Sequence, residues 1–105
     1  MKYLSKSILF KNEDELEAFL IIKSIVGKMV QPTRVLEPDD EYFAVFIHHH
    51  EQIICKLYLT DTFKQLTVLQ NGYETDFTLD AVTDIFLHEK VLLEIAQEYE
   101  QVVKR

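Results

Sequence analysis

Lys64-Gln65-Leu66-Thr67-Val68-Leu69-Gln70-Asn71-Gly72-Tyr73-Glu74-Thr75-Asp76-Phe77-Thr78 reads as a complete β-hairpin. Asn71-Gly72 suits a two-residue type I′ turn, which needs positive φ at both positions. Before the turn Leu66 and Val68 point inward. After it Tyr73, Thr75 and Phe77 alternate with Glu74, Asp76 and Thr78, the period of two that a half-buried strand requires. The rest of the chain is therefore read outward from an antiparallel sheet.

Toward the N-terminus, Ile53-Ile54-Cys55-Lys56-Leu57-Tyr58-Leu59 alternates in the same way. It places Ile53, Cys55, Leu57 and Leu59 on one side and Lys56 and Tyr58 on the other. Asp61, Thr62 and Phe63 turn this strand into the hairpin. Tyr42-Phe43-Ala44-Val45-Phe46-Ile47 is apolar on both faces, as a central strand should be, and His48-His49-His50-Glu51 then forms a hairpin loop. Glu37-Pro38-Asp39-Asp40 is a turn, because Pro presets φ and Asp bonds readily to nearby backbone. Residues 34–36 are a short strand candidate.

Helices flank this core. Asn12 is an N-cap with Glu15 three residues on, a variant capping box, and Glu13, Asp14 and Glu15 favour the positive end of the helix dipole. The helix should run over residues 13–29, with Leu16, Phe19, Ile22, Val26 and Met29 on one face, widened by Ala18 and Ile25. Gly27 is a candidate early stop. At the other end Thr78 or Asp80 can cap a helical region whose first apolar patch is Val82, Ile85 and Phe86. Val91, Leu92, Ile95, Ala96, Tyr99, Val102 and Val103 form a stripe on a helix near 88–103. That stripe is long enough to pack against a second copy.

The expected fold is α+β: a four- to five-stranded antiparallel sheet, with an N-terminal helix and one or two C-terminal helices on one face. With 105 residues, only two Gly and two Pro, the chain is read as one domain without long linkers. Residues 1–11 are an arm or strand and 12–103 the α-β-β-β-β-α core. No apolar run, residues 18–22 and 42–47 included, is long enough to cross a bilayer, and no apolar leader precedes Lys11. One cysteine excludes an intramolecular disulfide. A reducing cytoplasm is the expected setting.

Candidate chemistry is sparse. Three adjacent histidines on a loop cannot easily converge on one zinc ion, and His88 is remote. Cys55 falls among core positions, a poor place for a nucleophile. The only glycines, Gly27 and Gly72, make no phosphate loop. A metal-dependent nuclease could draw on Asp39 and Asp40, but Ile54-Cys55-Lys56 lacks the acid two residues before the lysine that would complete the metal site. The reading is non-catalytic, with no cofactor and no metal. Two surfaces remain. Lys56, Tyr58, Lys64, Gln65 and Thr67 can share the open face of the sheet, where a cation interleaved with an aromatic suits nucleic-acid or partner contact. Glu37, Asp39, Asp40, Glu41, Glu74 and Asp76 form a candidate acidic surface. The net charge of −7 opposes a generic DNA-coating role and fits an acidic protein that occupies a basic groove.

A set of residues carries a resemblance. Glu13-x-Glu15-Leu16-Glu17-x-Phe19-x-Ile21-Ile22-Lys23-Ser24-Ile25, Pro32-x-Arg34, Tyr42-Phe43, Ile54-Cys55-Lys56-Leu57 and Asp84-Ile85-Phe86 resemble the C-terminal domain of certain bacterial proteins. Those proteins carry an upstream nuclease-like domain similar to the N-terminal region of type I restriction enzyme R subunits. The resemblance spans roughly residues 12–100 and rests mostly on core positions. It implies an accessory module, acting through nucleic acid or a protein such as a nuclease or immunity complex. Lys56 stands where the family often has Arg, Tyr58 where His is common, and residues 37–41 form a shorter, acidic turn. The departures at Tyr58 and residues 37–41 remove positive charge and favour a protein target. An alternative reading is a phage or mobile-element inhibitor of DNA-targeting immunity, of the anti-restriction or anti-CRISPR type, with an acidic DNA-mimic surface.

Overall fold

The computed structural model describes residues 10–27, 30–47 and 52–104. The N-terminal arm up to Ile8 and Leu9, Met29 and the histidine run 48–50 lie outside them. Helix α1, Glu13–Val26, leads into five strands: β1 (Val30–Glu37), β2 (Asp40–Ile47), β3 (Gln52–Leu59), β4 (Lys64–Gln70) and β5 (Tyr73–Thr78). A 3₁₀ helix, Val82–His88, runs directly into α2, Glu89–Lys104. The strands form one antiparallel sheet in the order β1-β2-β3-β4-β5. Each strand thus pairs with its sequence neighbour, and short connections suffice.

α1 begins where a side chain can satisfy its free amides. Asn12 is extended at φ −153°, and its Oδ1 accepts the Glu15 N–H at 2.9 Å. Asn12 Nδ2 donates to the Leu59 carbonyl at 3.2 Å, which fixes the helix start to the end of β3. The Glu15 carboxylate does not close a box on Asn12. It accepts the Lys11 N–H at 2.6 Å instead. The helix stops at Val26 because Gly27 adopts φ +111°, earlier than the hydrophobic spacing through Met29 implied. Its buried residues are Glu15, Ala18, Phe19, Ile21 and Ile22, whereas Leu16 is only half-buried.

β1 is longer than residues 34–36 because Pro32 is tolerated inside it. The strand lies at the sheet edge, where a missing N–H costs little. The β4–β5 turn follows the sequence closely: Asn71 has φ +54° and Gly72 φ +81°. Nothing lies within 4 Å of a Cβ built at Gly72, so any penalty there is conformational. Gly72→Ala should therefore cost about 1–2 kcal/mol in urea denaturation, with Asn71→Gly near neutral. An unchanged midpoint in Gly72→Ala would show that the turn relaxes to another type.

Both helices pack on one face of the sheet. The core joins Ala18, Phe19, Ile21 and Ile22 of α1 with Phe43, Val45, Ile47, Ile54, Cys55, Leu57, Leu59, Leu66 and Val68 of the strands. Val30, Leu79, Val82, Ile85, Leu92, Ile95 and Ala96 complete it, with Val91 and Tyr99 packed at its margin. The α2 stripe is thus spent on the chain's own sheet through Tyr99. Phe86, placed with the apolar patch in sequence, is 48% exposed. No helix among the described residues is long and apolar enough to cross a membrane.

Candidate functional site

The face turned away from the helices is built by strand parity and one irregularity. Across β2, β3, β4 and β5, Ala44 pairs with Lys56, Lys56 with Thr67, and Thr67 with Asp76. Gln65 pairs with Tyr58 and Thr78 in the next row. The candidate residues Lys56, Tyr58, Gln65 and Thr67 therefore do share this face. Lys64 does not. It has the parity of Leu66 and Val68, so it turns to the helix side, where its Nζ lies 3.9 Å from Asp14 of α1.

The irregularity is a bulge. Val45 pairs with Cys55 but Phe46 pairs with Ile53, so Ile54 is an extra residue in β3. Ile54 and Cys55 both lie in the core, fully buried. Ile53 is thereby thrown to the opposite face, against the simple alternation that grouped it with Cys55 and Leu57. There it lines a shallow depression with Thr33, Val35 and Phe46. Two consecutive isoleucines carry no sequence signal for such a slip.

A polar and aromatic network occupies the rest of the face. Lys56 Nζ donates to Glu74 Oε2 at 2.8 Å and sits 4.8 Å from the centre of the Tyr42 ring. The Tyr42 and Tyr58 rings are 5.7 Å apart. The Tyr58 hydroxyl donates to Asp40 Oδ2 at 3.1 Å, and the Glu37 carboxylate lies beside Tyr42. The buried Thr67 hydroxyl donates to Asp76 Oδ1 at 2.7 Å and accepts from Gln65 Nε2 at 3.0 Å. Loss of water pushes the Tyr58 phenol up to about 12, helped by its bond to Asp40. Burial also raises Tyr42, and the Glu74 bond raises Lys56.

The six candidate acids do not form one array. Glu37, Asp39, Asp40 and Glu41 gather at the β1–β2 turn, while Glu74 and Asp76 lie on β5, about 15 Å away at three strand spacings. Glu41 belongs to the helix side, where it holds Arg34 Nη1 at 3.2 Å and Lys11 Nζ at 3.4 Å. Arg34 also pairs with the buried Glu15, an interaction whose two halves are remote in sequence.

Burial pushes the Cys55 thiol up to about 12, so it carries almost no thiolate at neutral pH. No group of three or more His, Cys, Asp or Glu among the described residues is placed to hold a metal ion. His88 stacks on Phe77, ring centres 4.1 Å apart. Comparison with known proteins brings no relative: no family model, no curated protein and no solved structure matches the chain.

Proposed function

We propose that this chain is a non-catalytic binding module, that its working surface is the sheet face away from the helices, and that its partner is a protein. The setting implied by the sequence resemblance is restriction-type nuclease or phage-conflict machinery. The observation that carries the reading is the state of Lys56. It is the one cation that the described strand residues place on this face, and it is held by Glu74 and the Tyr42 ring. A phosphate would have to displace a 2.8 Å ion pair and approach Glu37, Asp40 and Asp76 as well. Nucleic-acid affinity rests on free cations, so this face is poorly suited to it. Half-buried Tyr, Phe and Ile side chains beside polar groups suit a protein interface. The acidic-inhibitor alternative has less support, because its carboxylates divide between two ends and two faces of the sheet.

The test is capture from host extract by the intact chain and by two surface variants. Phe46→Ser with Ile53→Ser should abolish retention of a specific partner, while Leu20→Ser on α1 should leave it unchanged. Circular dichroism checks that each variant folds. Incubation with plasmid DNA and Mg²⁺ or Mn²⁺ should leave the DNA intact. Retention by the Phe46/Ile53 variant, or cleavage lost on changing Asp39 and Asp40, would overturn the reading.

A further inference from the structure

The same face also indicates what the partner brings to it. Resting on the reading above, we infer that the partner presents a cationic segment, an apolar anchor with Arg or Lys on either side.

The apolar seat is the depression lined by Thr33, Val35, Phe46 and Ile53. Ala44 lies between Tyr42 and Phe46 on the same face of β2 and is fully covered by its neighbours. None of these lining residues belongs to the hydrophobic core, and each is half-buried, with part of its surface left open.

Carboxylates stand on two sides of this seat. Glu37 is two residues along β1 from Val35, about 7 Å, and Asp40 is paired with Glu37. Glu74 lies on β5, two strand spacings or about 10 Å from β3, which carries Ile53. A cation two or three positions from the anchor in an extended segment reaches Glu37 or Asp40 directly, and reaches Glu74 by sharing it with Lys56. The chain's own Lys56 already shows the chemistry, with an ammonium held jointly by a carboxylate and a tyrosine ring.

Charge separates this occupant from the others. Among the described strand residues four carboxylates on the face, Glu37, Asp40, Glu74 and Asp76, stand against one ammonium, Lys56. A second copy would bring the same excess of negative charge, and a nucleic acid would bring phosphates. Both meet like-charge repulsion. The face offers about 500 Å² by strand spacing and rise, below the ~800 Å² per partner of a standard interface. The contact should therefore be transient and salt-sensitive.

The test uses the intact ¹⁵N-labelled chain and follows backbone amides by NMR. The probes are a short synthetic peptide with central Leu-Ile-Leu flanked on each side by Arg-Ser-Arg, its counterpart with Glu for Arg, and a short DNA duplex. The Arg peptide should shift Val35, Phe46, Ile53 and Tyr58, and weaken about tenfold between low and high salt. Glu37→Lys with Asp40→Lys, both exposed positions, should abolish those shifts while the remaining spectrum reports a folded chain. The Glu peptide and the duplex should leave the face unchanged. Equal binding of the two peptides overturns the inference, as does binding of the duplex to this face. So do shifts confined to the helix side, or no shifts with the Arg peptide at about 1 mM. Concentration-dependent shifts of the same amides without any peptide overturn it in favour of self-association. If the Phe46/Ile53 variant loses a host partner whose bound region is acidic or neutral, the cationic inference fails and the binding-module reading stands.

Discussion

Arg34→Ala should destabilise the fold by about 3–5 kcal/mol, enough to bring a domain of this size close to unfolding. The cause is the carboxylate that it would strand. The Glu15 side chain is only 4% exposed and its counter-charge is the Arg34 guanidinium, itself 15% exposed. Arg34 also reaches Glu41, so a single side chain ties α1 to both β1 and β2. Removing it leaves a negative charge in a poorly solvated site, where among the described residues the Lys11 N–H and the positive end of α1 remain to stabilise it. Removing both charges is a different matter. Glu15→Leu with Arg34→Met replaces the pair by apolar volume and should fall within about 1–2 kcal/mol of the parent. Urea denaturation of the two single variants and the double variant gives the coupling directly. A loss below about 1 kcal/mol in Arg34→Ala would mean that the pair does not anchor α1 to the sheet.

Alkaline pH should unfold the protein progressively between about pH 9 and pH 12. The Cys55 thiol is raised from 9.0 to about 12 by burial, and the Tyr58 phenol from 10.0 to about 12 by desolvation and the Asp40 bond. Tyr42 and Lys56 move the same way. All four have folded values above their unfolded ones. Their stabilisation is therefore fully present below the unfolded values and is lost as pH rises through the folded values. At about 1.4 kcal/mol per unit, Cys55 alone contributes a loss of about 4 kcal/mol across the window. Tyr58 adds less, since it is partly solvated. Denaturation midpoints should be flat from about pH 6 to pH 8.5 and fall steeply above. Cys55→Val keeps an apolar side chain, now β-branched, in the strand and has nothing to ionise. It should delay the onset of the decline by about one pH unit while leaving neutral stability within about 1 kcal/mol. An onset unchanged in Cys55→Val would assign the alkaline loss to the tyrosines and Lys56.

Much of the candidate face was legible from strand parity. Lys56 and Tyr58 had to oppose Cys55 and Leu57, and Gln65 and Thr67 had to oppose Leu66 and Val68. The same rule places Lys64 with Leu66, on the helix side, where Asp14 meets it. Grouping it with Lys56 by charge overrode a signal that was present. The seat formed by Val35, Phe46 and Ile53 could not have been found in this way. It depends on the extra residue Ile54, and nothing in Ile53-Ile54-Cys55 marks which of two adjacent apolar residues is left unpaired.

The sequence by itself determined the elements whose cause is local. Asn71-Gly72 accepts the two positive φ angles of a tight hairpin, Asn12 caps a helix start, Gly27 ends that helix, and period two separates the faces of β3 and β4. Each depends on backbone sterics or on a side chain bonding within a few residues. Tertiary structure alone decided the rest. It recruited Glu15 from a capping role into a buried pair with Arg34, nineteen positions away in sequence. It shifted the outer face of β3 by one residue at the bulge. It also set Lys56 against Glu74 and Tyr42, which turned an apparent basic site into a neutralised one. The physical reason is common to all three. Charge pairing and register are settled between strands and helices distant in sequence, through desolvation and packing that no local pattern encodes.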